Sequence, residues 1–153
     1  MTLLSVADDR YVFRLGRRER KLLVQVLRQY PLVPAGYHRF TRAGVSADDA
    51  DNQQLLEESL AAHRGEARAR LDRWLRAAGR FTPAGGGYRL ALNREEMEWL
   101  LQVLNDVRVG NWIKAGCPEF DPKTGPEITP ANEAYFFNLT VVDHFQGALL
   151  DAL

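Results

Sequence analysis

Tyr11-Val12-Phe13-Arg14-Leu15 sets Tyr11, Phe13 and Leu15 on one side at period two, the pattern of a strand with one face buried. From Arg17 the period changes. Leu22, Leu23, Val26 and Leu27 fall at helical spacing, with Arg18, Lys21, Gln25 and Arg28 around the remaining surface. This predicted helix stops before Pro31. Pro31, Pro34 and Gly36 then fix a loop carrying Tyr37, His38 and Phe40, since proline lacks the amide proton that a helix requires.

Beyond the loop, Ser46 can cap a second helix over about residues 47–78. Asp48, Asp49 and Asp51 lie near its start and Arg73 and Arg76 near its end, as the helix dipole favours. Its apolar line runs Leu56, Leu60, Ala67, Leu71, Trp74 and Ala78, with Gly79 as a left-handed stop. So long a helix is expected to kink or break near Gly65.

Thr82-Pro83-Ala84-Gly85-Gly86-Gly87 reads as a turn feeding a strand with alternating Tyr88, Leu90 and Leu92, a partner for strand 11–15. Asn93 and Glu96 form a capping box, and Met97, Leu100, Val103, Leu104 and Val107 continue a helical face that ends near Gly116. Thr129-Pro130 opens a last helix, 130–152. Its Phe136, Phe137, Leu139, Val141, Val142, Phe145, Leu149 and Leu150 cover most of the circumference, which predicts a central position in a monomer or weak homodimer. The expected fold is therefore mainly α: about four main helices with a small two-stranded β-element, in a single helical domain over 1–153. No repeat or low-complexity run stands out.

The 153 residues, 46% apolar and 26% charged, fit one soluble domain. No uncharged apolar stretch approaches the roughly 18 residues of a membrane span. Asp8 and Asp9 come too early for a secretory signal, and the single Cys117 excludes an internal disulfide framework and a thiolate zinc cage. A cytoplasmic protein without membrane partners is expected. Charge is uneven: residues 1–92 hold sixteen Lys/Arg against ten Asp/Glu, residues 93–153 four against ten.

His38, His63 and His144 sit in three separate segments, so neither a metal site nor any cofactor is expected. Cys117 lies between Gly116 and Pro118 in a helix-end turn, as a packed or idle thiol. The triple glycine lacks the Gly-Lys-Ser/Thr ending of a phosphate loop. The most unusual polar group is Asn105, Asp106, Arg108, Asn111 and Trp112. Asn105, Arg108 and Trp112 follow at i, i+3 and i+7, so one helical edge carries an amide, a guanidinium and an indole. Such an edge suits a carboxylate or a peptide; the competing reading is an interhelical polar network. Asp143-His144 poses the same choice between a core pair and, with Arg108, the pocket of a small-molecule enzyme. Segment 10–42 holds nine Lys/Arg against the single acid Glu19, interleaved with Tyr11, Phe13, Tyr30, Tyr37 and Phe40, which opens a nucleic-acid reading.

Taken in order, Tyr11–Leu15 before the first helix, Tyr88–Leu92 before an acidic helix start, Leu104-Asn105-Asp106-Val107-Arg108-Val109 within it, and a closing aromatic helix resemble an uncharacterised bacterial family, the domain of unknown function numbered two-thousand-seventeen. The resemblance spans nearly the whole chain and is most specific over Trp99–Arg108. It departs after Arg108, where a Leu-Gly-Thr-Arg-like continuation is replaced by Gly110-Asn111-Trp112-Ile113-Lys114. It implies a mostly helical protein without an established activity. In actinobacteria such genes often lie near that of the Clp-protease adaptor, which implies a link to protein turnover. The leading expectation is a non-catalytic protein-interaction or regulatory domain that uses the Asn105/Arg108/Trp112 edge. The alternatives are a nucleic-acid-binding regulator and an enzyme with a pocket near Asp143, His144 and Arg108.

Overall fold

A computed structural model describes residues 1–33, 49–119 and 125–153. The loop expected through Pro34, Gly36, Tyr37, His38 and Phe40, the Ser46 cap and Asp48 fall outside the described residues, as do the side chains of Asp49, Asp51 and Leu56. The elements are β1 (Thr2–Ala7), β2 (Arg10–Leu15), α1 (Arg17–Leu27), α2 (Asp49–Arg76), β3 (Phe81–Ala84), β4 (Gly87–Asn93), α3 (Arg94–Lys114) and α4 (Glu133–Leu150). The strands form one antiparallel sheet in the order β1-β2-β4-β3.

The expected two-stranded element is thus a four-stranded sheet, and the class is mixed α and β rather than mainly α. Both missed strands are edge strands. All six residues of β1 are exposed and Leu4 is an extra residue in its register with β2, so no alternating burial marks it in the sequence. In β3, Pro83 interrupts a strand pattern that only an edge tolerates. The centre of the sheet is the β2·β4 pair. It turns Tyr11, Phe13, Leu15, Leu90 and Leu92 into the core against α1 and α3, and leaves Arg10, Arg14 and Arg89 exposed on the opposite face.

The two hairpins are internal repeats, contrary to the sequence expectation. A shift of 77 positions carries Tyr11–Leu27 onto Tyr88–Leu104, with eight of 17 residues identical. Both hairpin turns place two central residues at positive φ: Asp8 (48°) and Asp9 (56°) in one, Gly85 (54°) and Gly86 (81°) in the other. Both following helices begin with a glutamate three residues after the cap. The Glu19 carboxylate accepts from the Gly16 N–H at 2.7 Å, and that of Glu96 from the Asn93 N–H at 3.1 Å. The cross-strand pairs obey the same shift. Tyr11 opposite Leu92 becomes Tyr88 opposite Leu15, while Phe13 opposite Leu90 maps onto itself, so a pseudo-two-fold axis passes through that pair. Leu23, Val26 and Leu27 of α1 and their equivalents Leu100, Val103 and Leu104 of α3 are all buried.

Each capping glutamate also meets a cation. Glu19 pairs with the α-amino group of Met1, and Glu96 with the Arg80 guanidinium at 2.5 Å; Glu96 also accepts from the Trp74 indole N–H at 3.1 Å. Burial works to raise the pKa of Glu96. The Arg80 and Trp74 hydrogen bonds, the Asn93 N–H and the Arg80 charge outweigh it and hold the carboxyl below its ordinary 4.5. A carboxyl depressed in the folded state stabilises the protein above its unfolded pKa, and that contribution is lost as pH falls through the folded value. Glu96→Gln is therefore expected to cost about 1–2 kcal/mol at neutral pH and to flatten the fall in stability below about pH 4.5. Urea unfolding of both proteins from about pH 3 to pH 7 checks this; parallel curves would remove the assigned role of Glu96.

α2 runs through Gly65 without a break, so the expected kink is absent. Gly65 is exposed with nothing within 4 Å of a built Cβ, and its low helix propensity, roughly 1 kcal/mol, is too small to interrupt a helix anchored elsewhere. The anchor is partly apolar, through buried Leu71 and Trp74, and partly polar. Arg68 donates to the carbonyls of Arg28 (2.6 Å) and Tyr30 (2.8 Å), and Arg64 to those of Pro31 (2.9 Å) and Val33. One turn apart, the two arginines satisfy carbonyls at and beyond the end of α1, where backbone acceptors lack helical donors.

α4 is not the central element predicted for residues 130–152. Leu139, Val141, Val142, Phe145 and Leu149 are buried where α4 meets α3 and α1, while Phe137 and Leu150 remain 51% and 59% exposed. The helix starts at Glu133, three residues beyond Pro130, because the Asn132 side chain bonds back to the Thr129 N–H at 2.7 Å and organises the entry.

Candidate functional site

α3 and α4 pack along one another, and their outer ridges leave an open groove of about 600 Å³. Asn105, Arg108, Val109 and Trp112 line it from α3, and Phe136, Leu139, Thr140 and Asp143 from α4. Each set follows i, i+3, i+4 and i+7, so each helix presents a single stripe. Pro126 and Ile128 of the connection close one side, with Ile128 61% exposed. The walls are chiefly apolar.

Arg108 and Asp143 face each other across the groove, with Nε 3.3 Å from Oδ1. Both side chains are more than half exposed, so the pair contributes under about 1 kcal/mol to stability and can reorganise around a ligand at little cost. The recorded approach is at the Nε edge of the guanidinium. The Arg108 Nη atoms, the Trp112 indole N–H and the Asn105 amide make no hydrogen bond among the described residues. Thr140 donates its hydroxyl to the Phe136 carbonyl at 3.1 Å, a back-bond that occupies the hydroxyl lining the groove.

Three of the five residues expected on the α3 edge, Asn105, Arg108 and Trp112, therefore share the groove, and two do not. Asp106 turns toward the segment after α1, where Oδ1 accepts from the N–H groups of Leu32 (2.5 Å) and Val33 (3.4 Å). Burial raises the pKa of the nearby Tyr30 hydroxyl, and the Asp106 charge adds to the shift. Asn111 is 1% exposed and belongs to the interior. Its amide donates to the Val107 carbonyl (2.8 Å) and Gln29 Oε1 (3.0 Å), and its oxygen accepts from Asn138 (3.0 Å).

The suggested pocket of Asp143, His144 and Arg108 is divided as well. Successive helical residues point about 100° apart, so Asp143 meets Arg108 in the groove while His144 turns to Glu19, with Nε2 3.2 Å from its carboxylate and 2.9 Å from the Met1 amine. No protein-family model, curated protein or solved structure matches the chain. No helix among the described residues is long and apolar enough to cross a membrane.

On the α4 side the sequence reading singles out Asp143 and not Phe136, Leu139 or Thr140. The four repeat the spacing of the α3 stripe, and that shared periodicity is the available signal; it is submerged because the remaining faces of the last helix are also apolar.

Proposed function

We propose that this chain is a non-catalytic protein-interaction or regulatory domain that holds a peptide segment in the groove between α3 and α4. The observation that carries the reading is the groove itself: apolar walls joined to a loosely held Arg108–Asp143 pair and to donors that make no hydrogen bond among the described residues. Arg and Trp supply a disproportionate share of binding energy at protein interfaces because they combine large apolar contact with directed hydrogen bonds. The resemblance of Trp99–Arg108 to the uncharacterised bacterial family extends the reading to partners engaged in protein turnover. Capture from a native lysate, comparing the natural chain with the Arg108→Ala, Trp112→Ala double variant, tests it. Specific partners are expected to fall by about 30-fold or more in retention with the variant. Equal retention by two equally folded proteins would remove the groove from the function.

A second reading has one observation of its own. Arg10, Arg14 and Arg89 lie together on the uncovered face of the sheet, a basic surface that could follow a phosphate backbone. Arg20 does not add to it, being stacked over the Phe81 and Tyr88 rings at 5.1 Å and 4.5 Å. Titration with DNA and RNA at low and moderate salt decides the matter, and no binding at low salt would sink this alternative.

A further inference from the structure

Within the peptide-binding reading of the groove, on which this inference rests, we infer that the ligand is a free peptide C-terminus whose last side chain is large and apolar. Asp143 meets Arg108 at Nε, and the Nη1/Nη2 fork makes no hydrogen bond among the described residues; such a fork receives a carboxylate through two parallel hydrogen bonds. Asn105 lies three residues before Arg108 and Trp112 four after it on the same stripe, so two further donors flank the fork. Beside them stand Phe136, Leu139 and Ile128, which can cover an aliphatic or aromatic side chain but satisfy no polar group.

A ligand that fits must bring a carboxylate and a large apolar group from adjacent atoms. A C-terminal leucine, methionine or phenylalanine does so from one Cα. An internal Asp or Glu would instead run its backbone on past the apolar walls with amide and carbonyl groups left unsatisfied. Asp143 and the acidic surplus of residues 93–153, ten acids against four bases, set the second condition. One carboxylate is accepted at Arg108, and further negative charge in the tail is repelled. The selected terminus is therefore apolar at its last position and free of acidic residues just before it.

The test uses the full chain and immobilised octapeptides randomised over their last three positions, presented with either a free or an amidated C-terminus. Enrichment of Leu, Ile, Met or Phe at the last position is expected, with at least about 10-fold tighter binding of the free acid than of its amide. For the best sequence in solution, Arg108→Lys should weaken binding about 10-fold, because an ammonium keeps the charge but not the fork. Equal binding of acid and amide, with both lost in Trp112→Ala, would overturn this inference and leave the groove a peptide site. Absence of any enriched peptide would overturn it too, and the lysate comparison would then judge the groove separately. Competition by 3-phenylpropionate as strong as by the best peptide would assign the fork to small carboxylic acids and also overturn it.

Discussion

Phe145→Ala is expected to destabilise the protein by about 3–5 kcal/mol, while Phe137→Ala on the same helix costs under about 1 kcal/mol. Phe145 is 1% exposed within the core that includes Leu139's neighbours Val141 and Val142 and Leu149; Phe137 is 51% exposed. Removing the buried ring loses its transfer energy and opens a cavity that packed neighbours fill only in part. Removing the exposed ring loses little, because half its surface already meets water. For a chain of this length the first change corresponds to a fall of roughly 10 °C in Tm. Urea and thermal unfolding of the two variants check the contrast, and similar losses would show that the outer side of α4 is buried after all.

Gly87→Ala is expected to cost about 3 kcal/mol by a different mechanism. A Cβ there would stand 2.3 Å from the Leu15 carbonyl oxygen and 3.3 Å from its carbon, both backbone atoms of the strand paired with β4. No rotamer change relieves such a clash; β2 and β4 would have to separate where they form the centre of the sheet. Gly86→Ala is the natural control. Its φ of 81° disfavours a side chain, but no atom lies within 4 Å of the new Cβ, so the expected cost is only about 1–2 kcal/mol. Thermal unfolding followed by circular dichroism separates the two, and an unchanged Tm for Gly87→Ala would contradict the described β2·β4 approach. The position equivalent to Gly87 in the first repeat is Arg10, which carries a side chain, so the constraint arises from local packing and not from the repeated fold.

Helices were legible where a periodic face coincided with a chemical stop or start. α1 ends ahead of Pro31, and α3 opens on the Asn93/Glu96 box and closes before Gly116, whose φ is 90°. Strands were legible only when one face was buried: β2 and β4 alternate, while β1 buries nothing and therefore carries no alternation. The repeat was present in the letters, but its eight identities are scattered over a 77-residue shift, and helix and hairpin must be superposed before they register as one unit. In α4, Phe137 and Phe145 are the same residue type in equally apolar surroundings, so only the position of α1 and α3 distinguishes them. The groove divides the α3 motif by angle: Asn105, Arg108 and Trp112 share a stripe, while Asp106 turns to the segment after α1 and Asn111 to the interior.

The pseudo-two-fold axis through Phe13 and Leu90 has the geometry by which two separate copies of one hairpin–helix unit would close a common sheet. Joining the halves in one chain replaces an encounter governed by protein concentration with a fixed, high effective concentration, so the seam does not open on dilution. It also frees the halves from identity. In a true pair of copies every charge occurs twice around the axis, whereas here Arg18 and Lys21 on α1 correspond to Glu95 and Glu98 on α3, so equivalent helices carry opposite sign. A symmetric assembly of either unit would carry the same charges on both helices; the linked pair carries opposite signs on them and places a groove on one side alone.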